Sequence, residues 1–261
     1  MILTDTHAHL YAEQFAEDRE EMMKRALEKG VSRIFLPAID TATHHQLIAM
    51  ADAYPEHCFP MMGLHPCSVD AATIDTEYAA IEEWHAKRKF TAVGEIGIDL
   101  YWDKTQLKLQ QDIFAKQIDL AIRLNLPVVI HSRNAFNECF EIVSEKKAGI
   151  SGENLKGIFH CFSDGIPEAE KVISLGSFMM GIGGTVTFKN SGVDKVAEHI
   201  GMDHFVLETD APYLAPVPFR GKRNESSYLS CVAETIARIK NITVEEVALI
   251  TTENSKKIFS T

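Results

Sequence analysis

The sequence lacks the features of a membrane protein, of a disulfide-rich protein and of a protein that coats nucleic acid through a basic surface. No apolar run among its 261 residues approaches the roughly 20 residues that cross a bilayer. Asp5 also interrupts the N-terminal apolar residues before a signal-like segment could form. The five cysteines are widely spaced, with no C-x-x-C pair, which indicates free thiols. The net charge of −11 argues against broad coating of nucleic acid. From the missing apolar segments and the free thiols, we expect a cytoplasmic protein without a membrane partner.

Linkers and glycine-rich phosphate loops are missing as well. No long stretch is rich in proline, glycine or serine, and no repeat is evident, so we expect one domain that spans residues 1–261. No G-x-G-x-x-G motif follows the first candidate strand. Its absence weakens the main alternative architecture, a doubly wound sheet that binds a dinucleotide.

Short apolar segments alternate with stretches of helical periodicity along the whole chain. We place eight candidate strands near residues 2–6, 33–37, 59–63, 92–95, 127–131, 157–160, 177–181 and 205–208. Because parallel strands are joined by crossover helices, this alternation over roughly 250 residues predicts an α/β fold, a closed (β/α)8 TIM barrel. Thr243 and Glu246 form the ends of a capping-box sequence, which predicts an extra C-terminal helix.

Histidines and carboxylates stand at the carboxyl ends of several candidate strands. They are His7 and His9 on the first strand, Glu95 on the fourth, His131 on the fifth, His160 on the sixth and Asp210 on the eighth. Because every strand of such a barrel points its C-terminal end to one face, we expect these side chains to meet at a single mouth. Each residue by itself could also be a satisfied polar residue at a strand end. Their joint placement is what favours a metal centre.

The types and spacing of these residues predict two metal ions. In the H-x-H sequence at residues 7–9, both imidazoles project to the same side of a strand and can reach one ion. Asp210 would complete that site, while His131 and His160 would hold a second ion. Glu95 has two oxygens and would bridge the pair. These side chains are more numerous than the ligands of one four-coordinate zinc site. We therefore expect two divalent ions about 3.5–4 Å apart with a bridging water as nucleophile.

Other residues near this face are candidates for substrate contact. His65, in a Gly-Leu-His-Pro run, could donate to a phosphate or leaving-group oxygen, or could be a loop histidine held by the proline. The guanidinium of Arg133 could bind a phosphate through two parallel hydrogen bonds. Arg223 and Asn224 could also contact phosphate, or could belong to a solvated basic turn. Tyr101 could stack a base or pack the rim of the barrel.

Six motifs taken together resemble those of the TatD family of metal-dependent hydrolases. They are Thr4-Asp5-Thr6-His7-Ala8-His9, Gly63-Leu64-His65-Pro66, Val93-Gly94-Glu95-Ile96-Gly97-Ile98-Asp99, His131-Ser132-Arg133, His160-Cys161-Phe162-Ser163 and Glu208-Thr209-Asp210-Ala211-Pro212-Tyr213. The resemblance implies an amidohydrolase-like barrel with deoxyribonuclease activity, which the family exerts as a 3′–5′ exonuclease or at abasic sites. It also implies the same six metal ligands. Cys67 and Ser226 depart from the histidine and proline common in the family, and these departures concern substrate preference.

We therefore predict a metal-dependent deoxyribonuclease that cleaves phosphodiester bonds at DNA ends or in single strands with a metal-activated water. Its catalytic residues would be Asp210, as candidate general base, Glu95 and His65. The two divalent ions would be zinc, magnesium or manganese, and DNA is the one partner expected, with no obligate protein partner. The alternatives are an amidohydrolase-like enzyme for a small cyclic amide, ester or phosphoester, and a metal-dependent scaffold, since fold and metal site do not select a substrate.

Overall fold

The structure, a computed structural model, describes residues 1–260 and contains eight parallel strands separated by helices. The strands are β1 (Leu3–Asp5), β2 (Val31–Leu36), β3 (Cys58–Pro60), β4 (Val93–Asp99), β5 (Val128–Arg133), β6 (Gly157–Phe159), β7 (Phe178–Ile182) and β8 (Phe205–Leu207). The α-helices are α1 (Arg19–Glu28), α2 (His44–Ala53), α3 (Ile74–Lys87), α4 (Leu107–Leu124), α5 (Phe136–Ala148), α6 (Ile166–Ser174), α7 (Val193–His199), α8 (Leu229–Lys240) and α9 (Val244–Phe259). None of the helices in this part of the chain is both long and apolar enough to span a membrane.

Backbone hydrogen bonds close the eight strands into a barrel. β1, β2 and β3 pair in chain order, and β4 to β8 form a second parallel run in chain order. At the seam beyond β3, Gly94 N donates to Met62 O at 3.1 Å, and at the seam beyond β1 and β8, Asp210 N donates to His7 O at 2.9 Å. This pairing confirms the predicted (β/α)8 TIM barrel. That residues 1–261 form one domain stays a prediction.

Two strands run further than the sequence indicates. We expected β4 to end at Glu95 and β5 at His131, but β4 continues to Asp99 and β5 to Arg133, and these last two residues pair with each other. Gly97 permits the continuation because its φ is 144° and a Cβ there would collide with the backbone oxygen of His131. Glu95 and His131 therefore lie inside strands, and the residues after them are available to build the mouth of the barrel.

The extra C-terminal helix closes the end of the barrel opposite the mouth. Asn254 Nδ2 donates to the carbonyl of Phe205, the first residue of β8, at 2.9 Å. Ile258 and Phe259 pack against the barrel interior, and the Phe259 ring stacks on Phe35 with 3.8 Å between centroids. The interior side chains of this cluster come from β2 through β8 and their flanks: Phe35, Met61, Ala92, Val129, Ile158, Met179 and Val206. The predicted α9 thus acts as a plug at the N-terminal ends of the strands.

Candidate metal centre

The six predicted ligands come together at the C-terminal mouth of the barrel, with Glu95 at the centre. Glu95 Oε2 lies 3.1 Å from His7 Nε2 and 3.6 Å from His9 Nε2. Glu95 Oε1 lies 2.9 Å from His131 Nδ1 and 3.8 Å from His160 Nε2. The two oxygens of one buried carboxylate therefore face two different pairs of imidazoles.

Asp210 contacts both sides of this arrangement. Its Oδ1 lies 3.9 Å from His7 Nε2, 3.7 Å from His9 Nε2 and 3.8 Å from His160 Nε2. The residue follows β8 with a φ of 56°, a left-handed conformation that aspartate tolerates better than most residues. The backbone hydrogen bond from Asp210 N to His7 O holds that turn against the segment that carries the H-x-H pair.

Burial sets the protonation of three imidazoles, and the surrounding imidazoles set that of the central carboxylate. Burial lowers the pKa values of His7, His9 and His160, so these rings are neutral, the form that binds a metal. Burial alone would raise the pKa of Glu95, but the surrounding imidazoles, His65 first among them, hold it well below its usual range. Glu95 is therefore ionised in the middle of five neutral or cationic rings.

Burial disfavours the negative charge of two further carboxyl groups near the centre, Asp210 and Glu208. Burial raises the pKa of Asp210 to about 7, and it does the same for Glu208, which is fully buried next to the centre. His131 behaves in the opposite way: burial opposes its protonation, but hydrogen bonds to Asp99 and Glu95 raise its pKa to about 9. A divalent cation would stabilise the negative charge of Asp210 and Glu208, and it would have to displace the proton from His131. The two carboxylates therefore fit a metal site.

Donor atoms are close enough to hold divalent ions. Four sets of three side chains have one ligand atom each within 4.8 Å of the others. They are His7, His9 and Glu95; His7, His160 and Asp210; His65, Glu95 and His131; and His160, Cys161 and Glu208. Imidazole nitrogens and carboxylate oxygens are common ligands of zinc, manganese and magnesium, so the clusters fit divalent metal binding.

Two acidic residues that the sequence analysis left without a role lie against the imidazoles. Asp99 is hydrogen-bonded to His131 and orients it, whereas Glu208 is near His160 without the geometry of a hydrogen bond. Asp99 Oδ2 lies 2.9 Å from His131 Nε2, and Glu208 Oε1 lies 2.9 Å from His160 Nδ1. In both cases the carboxylate meets the ring nitrogen that faces away from Glu95. A carboxylate hydrogen-bonded in this position fixes the tautomer and angle of a metal-binding histidine. The period of two along a strand could have revealed them, since Asp99 lies four residues after Glu95.

We expect Asp99→Asn to weaken divalent metal binding by about 10- to 100-fold, because a neutral amide no longer orients His131. Asparagine keeps an oxygen that can accept from the backbone amides of Tyr101 and Trp102, as Asp99 Oδ1 does. The measurement is the dissociation constant for Mn²⁺ by isothermal titration. Asp103→Asn, on the exposed loop that follows, is the matched control and should leave the constant unchanged. Equal constants for the Asp99→Asn variant and the unsubstituted protein would contradict this role.

Of the five residues predicted to contact substrate, three lie at the mouth of the barrel. The other two are hydrogen-bonded to other residues of the protein. His65 Nε2 lies 3.3 Å from Glu95 Oε1, so this histidine borders the centre directly. Arg133 and Tyr101 are exposed, and the guanidinium carbon of Arg133 lies 3.8 Å from the centroid of the Tyr101 ring. Their positions leave both side chains accessible to a molecule that enters the mouth.

Arg223 and Asn224 have partners within the protein. Arg223 makes two hydrogen bonds to the carboxylate of Asp18, at 2.6 and 2.7 Å. Asn224 is fully buried, and its Nδ2 donates to the carbonyls of Thr209 and Tyr213 at 2.7 and 2.6 Å. These bonds fasten the long loop after β8, and contact of either residue with substrate stays a prediction.

Nearly the whole chain matches a known family. The family described as TatD related DNase matches residues 4–260. The chain belongs to the TatD family. YabD of Bacillus subtilis (strain 168), described as an uncharacterized metal-dependent hydrolase, is 42% identical to this TatD protein over 260 residues that cover 99% of each chain. YcfH of Escherichia coli (strain K12), which has the same description, is 32% identical over 268 residues that cover 99% of this chain and 96% of YcfH.

Solved structures agree with this membership. The crystal structure of YjjV, a TatD homologue from Escherichia coli K12, matches the TatD chain with a TM-score of 0.91 and 28% identity. The match covers 99% of this chain and 98% of YjjV. The family resemblance seen in the motifs is thus confirmed, and together with the donor clusters it supports a metal-dependent hydrolase.

Proposed function

We propose that this TatD-family protein is a metal-dependent deoxyribonuclease that hydrolyses phosphodiester bonds at DNA ends or in single strands. The observation that carries the proposal is the arrangement around Glu95, whose two oxygens face separate imidazole pairs 2.9 to 3.8 Å away. A bridging carboxylate between two sets of imidazoles suits a pair of divalent ions, which is a common device for phosphodiester cleavage. The family's description as a DNase supports DNA as the substrate.

In this proposal six side chains hold two divalent ions: His7, His9, Glu95, His131, His160 and Asp210. Bound zinc, magnesium or manganese would lower the pKa of a water molecule and offset the charge of the phosphate oxygens. Glu95 serves both sides through its two oxygens, and Asp210 lies 3.7 to 3.9 Å from imidazoles of both sets. The chain therefore supplies positioning and charge, and one of its residues, Asp210, accepts and returns a proton.

Asp210 moves the proton of the reaction, and His65 supplies a hydrogen bond. The Asp210 side chain retains 14% exposure, so its carboxylate can meet a water at the mouth and accepts a proton from it as general base. His65 Nδ1 accepts a hydrogen bond from Cys67 N at 3.1 Å, which leaves a proton on Nε2. His65 Nε2–H is therefore placed to donate a hydrogen bond, without transfer of its proton, to the leaving oxygen of the phosphodiester. The proton that the leaving oxygen needs is the one that Asp210 has accepted from water.

Few cations are proposed to contact the substrate, in agreement with the net charge of −11. Arg133 offers its exposed guanidinium to a phosphate at the mouth, and Tyr101 lies beside it. Because nonspecific duplex binding needs many phosphate contacts, this surface favours capture of a strand end or a single strand. The five free cysteines agree with a cytoplasmic location, which we retain as part of the proposal.

A turnover assay on 3′-labelled single-stranded DNA tests the proposal. Chelation should lower the rate by at least about 100-fold, because water is not activated at neutral pH without the ions. Addition of Mg²⁺, Mn²⁺ or Zn²⁺ should restore the rate. Linear single strands should be degraded faster than closed circles of the same sequence. Equal rates with and without chelator would contradict a metal-dependent nuclease.

Two small substrates separate the alternative hydrolase from the nuclease. A p-nitrophenyl phosphodiester reports on phosphorus chemistry, and a dihydroorotate-like cyclic amide reports on acyl chemistry. We expect metal-dependent turnover of the phosphodiester and none of the amide. A kcat/KM for the amide above that for DNA would instead identify an amidohydrolase.

A further inference from the structure

Two large aromatic side chains are exposed where β4 leads into α4. Trp102 is 71% exposed and Tyr101 is 53% exposed, and both follow directly from the extended end of β4. No segment among residues 1–260 covers the Trp102 ring. Exposed apolar side chains that adjoin each other at the mouth of a site often mark a binding surface.

These rings form an ordered group with Arg133, which we call the rim stack (Tyr101, Trp102 and Arg133). The two rings meet edge to face, with 5.0 Å between centroids and an interplanar angle of 90°. The guanidinium carbon of Arg133 lies 3.8 Å from the Tyr101 centroid and 5.5 Å from the Trp102 centroid. The rim stack thus combines π faces with a cation, and cation–π contacts of this kind hold the guanidinium in place.

The rim stack is attached to the metal centre through a single carboxylate. Asp99 Oδ1 accepts hydrogen bonds from Tyr101 N at 2.9 Å and from Trp102 N at 3.1 Å. The other oxygen of Asp99 lies 2.9 Å from His131 Nε2. Gln110 holds Asp99 in turn, because its side-chain amide bonds both the backbone N–H and the carbonyl of Asp99. The stack is therefore placed firmly next to the centre.

We propose that the rim stack is a nucleobase platform that binds unpaired bases beside the bond to be cleaved. The proposal rests on the proposed nuclease function and adds a subsite that holds intact bases near the scissile phosphate. Exposed rings accept any base because every base has a π face, and the adjoining guanidinium can stack on a base or bind its phosphate. Inside a duplex, neighbouring bases stack on both faces of each base, so internal base pairs cannot use the platform.

Tryptophan fluorescence measures the platform directly. The sequence has two tryptophans, so Trp84→Phe leaves Trp102 as the reporter. The metal-loaded Trp84→Phe protein is titrated with a phosphorothioate oligo(dT), which resists hydrolysis, and with an abasic phosphorothioate oligomer of equal length. Oligo(dT) should quench the fluorescence and bind about 5- to 100-fold more tightly than the abasic oligomer.

Substitutions at Trp102 separate stacking from simple apolar contact. In otherwise native protein, with a labelled oligo(dT) as the probe, Trp102→Leu should lower affinity by about 5- to 100-fold. Trp102→Phe keeps a π face and should recover most of the affinity. Both variants should bind the abasic oligomer alike. Because the Trp102 side chain is exposed, none of these changes should disturb folding.

Each outcome bears on one proposal separately. Equal quenching by the two oligomers, or equal oligo(dT) affinity of the native and Trp102→Leu proteins, would overturn the platform and leave the nuclease proposal intact. Base-dependent quenching in a protein that shows no metal-dependent DNA turnover would support the platform and overturn the nuclease. Base-dependent quenching with DNA turnover would support both.

Discussion

Glu95→Gln should lower the kcat/KM for DNA hydrolysis by at least about 10³-fold, the largest effect on activity that we expect from any single substitution. The amide nitrogen of glutamine cannot ligate a metal, and it must face one of the two imidazole pairs that the Glu95 oxygens now face. One side of the centre therefore loses its oxygen ligand and the negative charge that offsets a cation. The metal content of the purified variant, measured by elemental analysis, should fall with the activity.

The matched control is Glu83→Gln, the same chemical change on the exposed surface of α3. Glu83 is 65% exposed and pairs with Lys87 one helical turn away, so its replacement should change neither activity nor metal content. Circular dichroism of the Glu95→Gln variant should match that of the native protein. DNA turnover within about tenfold of the native rate would contradict the central role of Glu95.

Phe259→Ala should lower the free energy of unfolding by about 3–5 kcal/mol, the largest effect on stability that we expect. Phe259 is 4% exposed, and its ring stacks on Phe35 in the interior of the barrel. Alanine would leave a cavity where α9 plugs the N-terminal ends of the strands, and the surrounding barrel can collapse into it only in part. Urea denaturation followed by circular dichroism measures the change.

Leu249→Ala provides the matched control on the same helix. Leu249 is 64% exposed, so its truncation should change the free energy of unfolding by no more than about 0.5 kcal/mol. Because α9 lies at the opposite end of the barrel from Glu95, folded Phe259→Ala protein should keep its hydrolytic rate at low temperature. A loss of activity without a loss of stability would contradict the role of α9 as a plug.

The fold could be predicted from the sequence because its signals are local. Short apolar strands and amphipathic helices repeat along the chain, and each leaves a pattern that spans fewer than about twenty residues. The capping box from Thr243 to Glu246 is equally local, and it begins α9 in the structure. The predicted ends of β4 and β5 were wrong because both strands are extended by pairing with each other, up to Asp99 and Arg133. Gly97 allows this pairing because, without a Cβ, its backbone can approach that of His131.

The sequence by itself determined the residue types of the candidate centre and the end of the barrel where they meet, since parallel strands in a barrel share one direction. Only the tertiary structure decided which atoms face each other, because partners such as Arg223 and Asp18 lie 205 residues apart and no local pattern connects them. The same holds for the opposed oxygens of Glu95 and for the carboxylate of Asp99, which joins His131 to the rim stack. Side-chain direction depends on how distant segments pack, and that packing is a property of the folded chain.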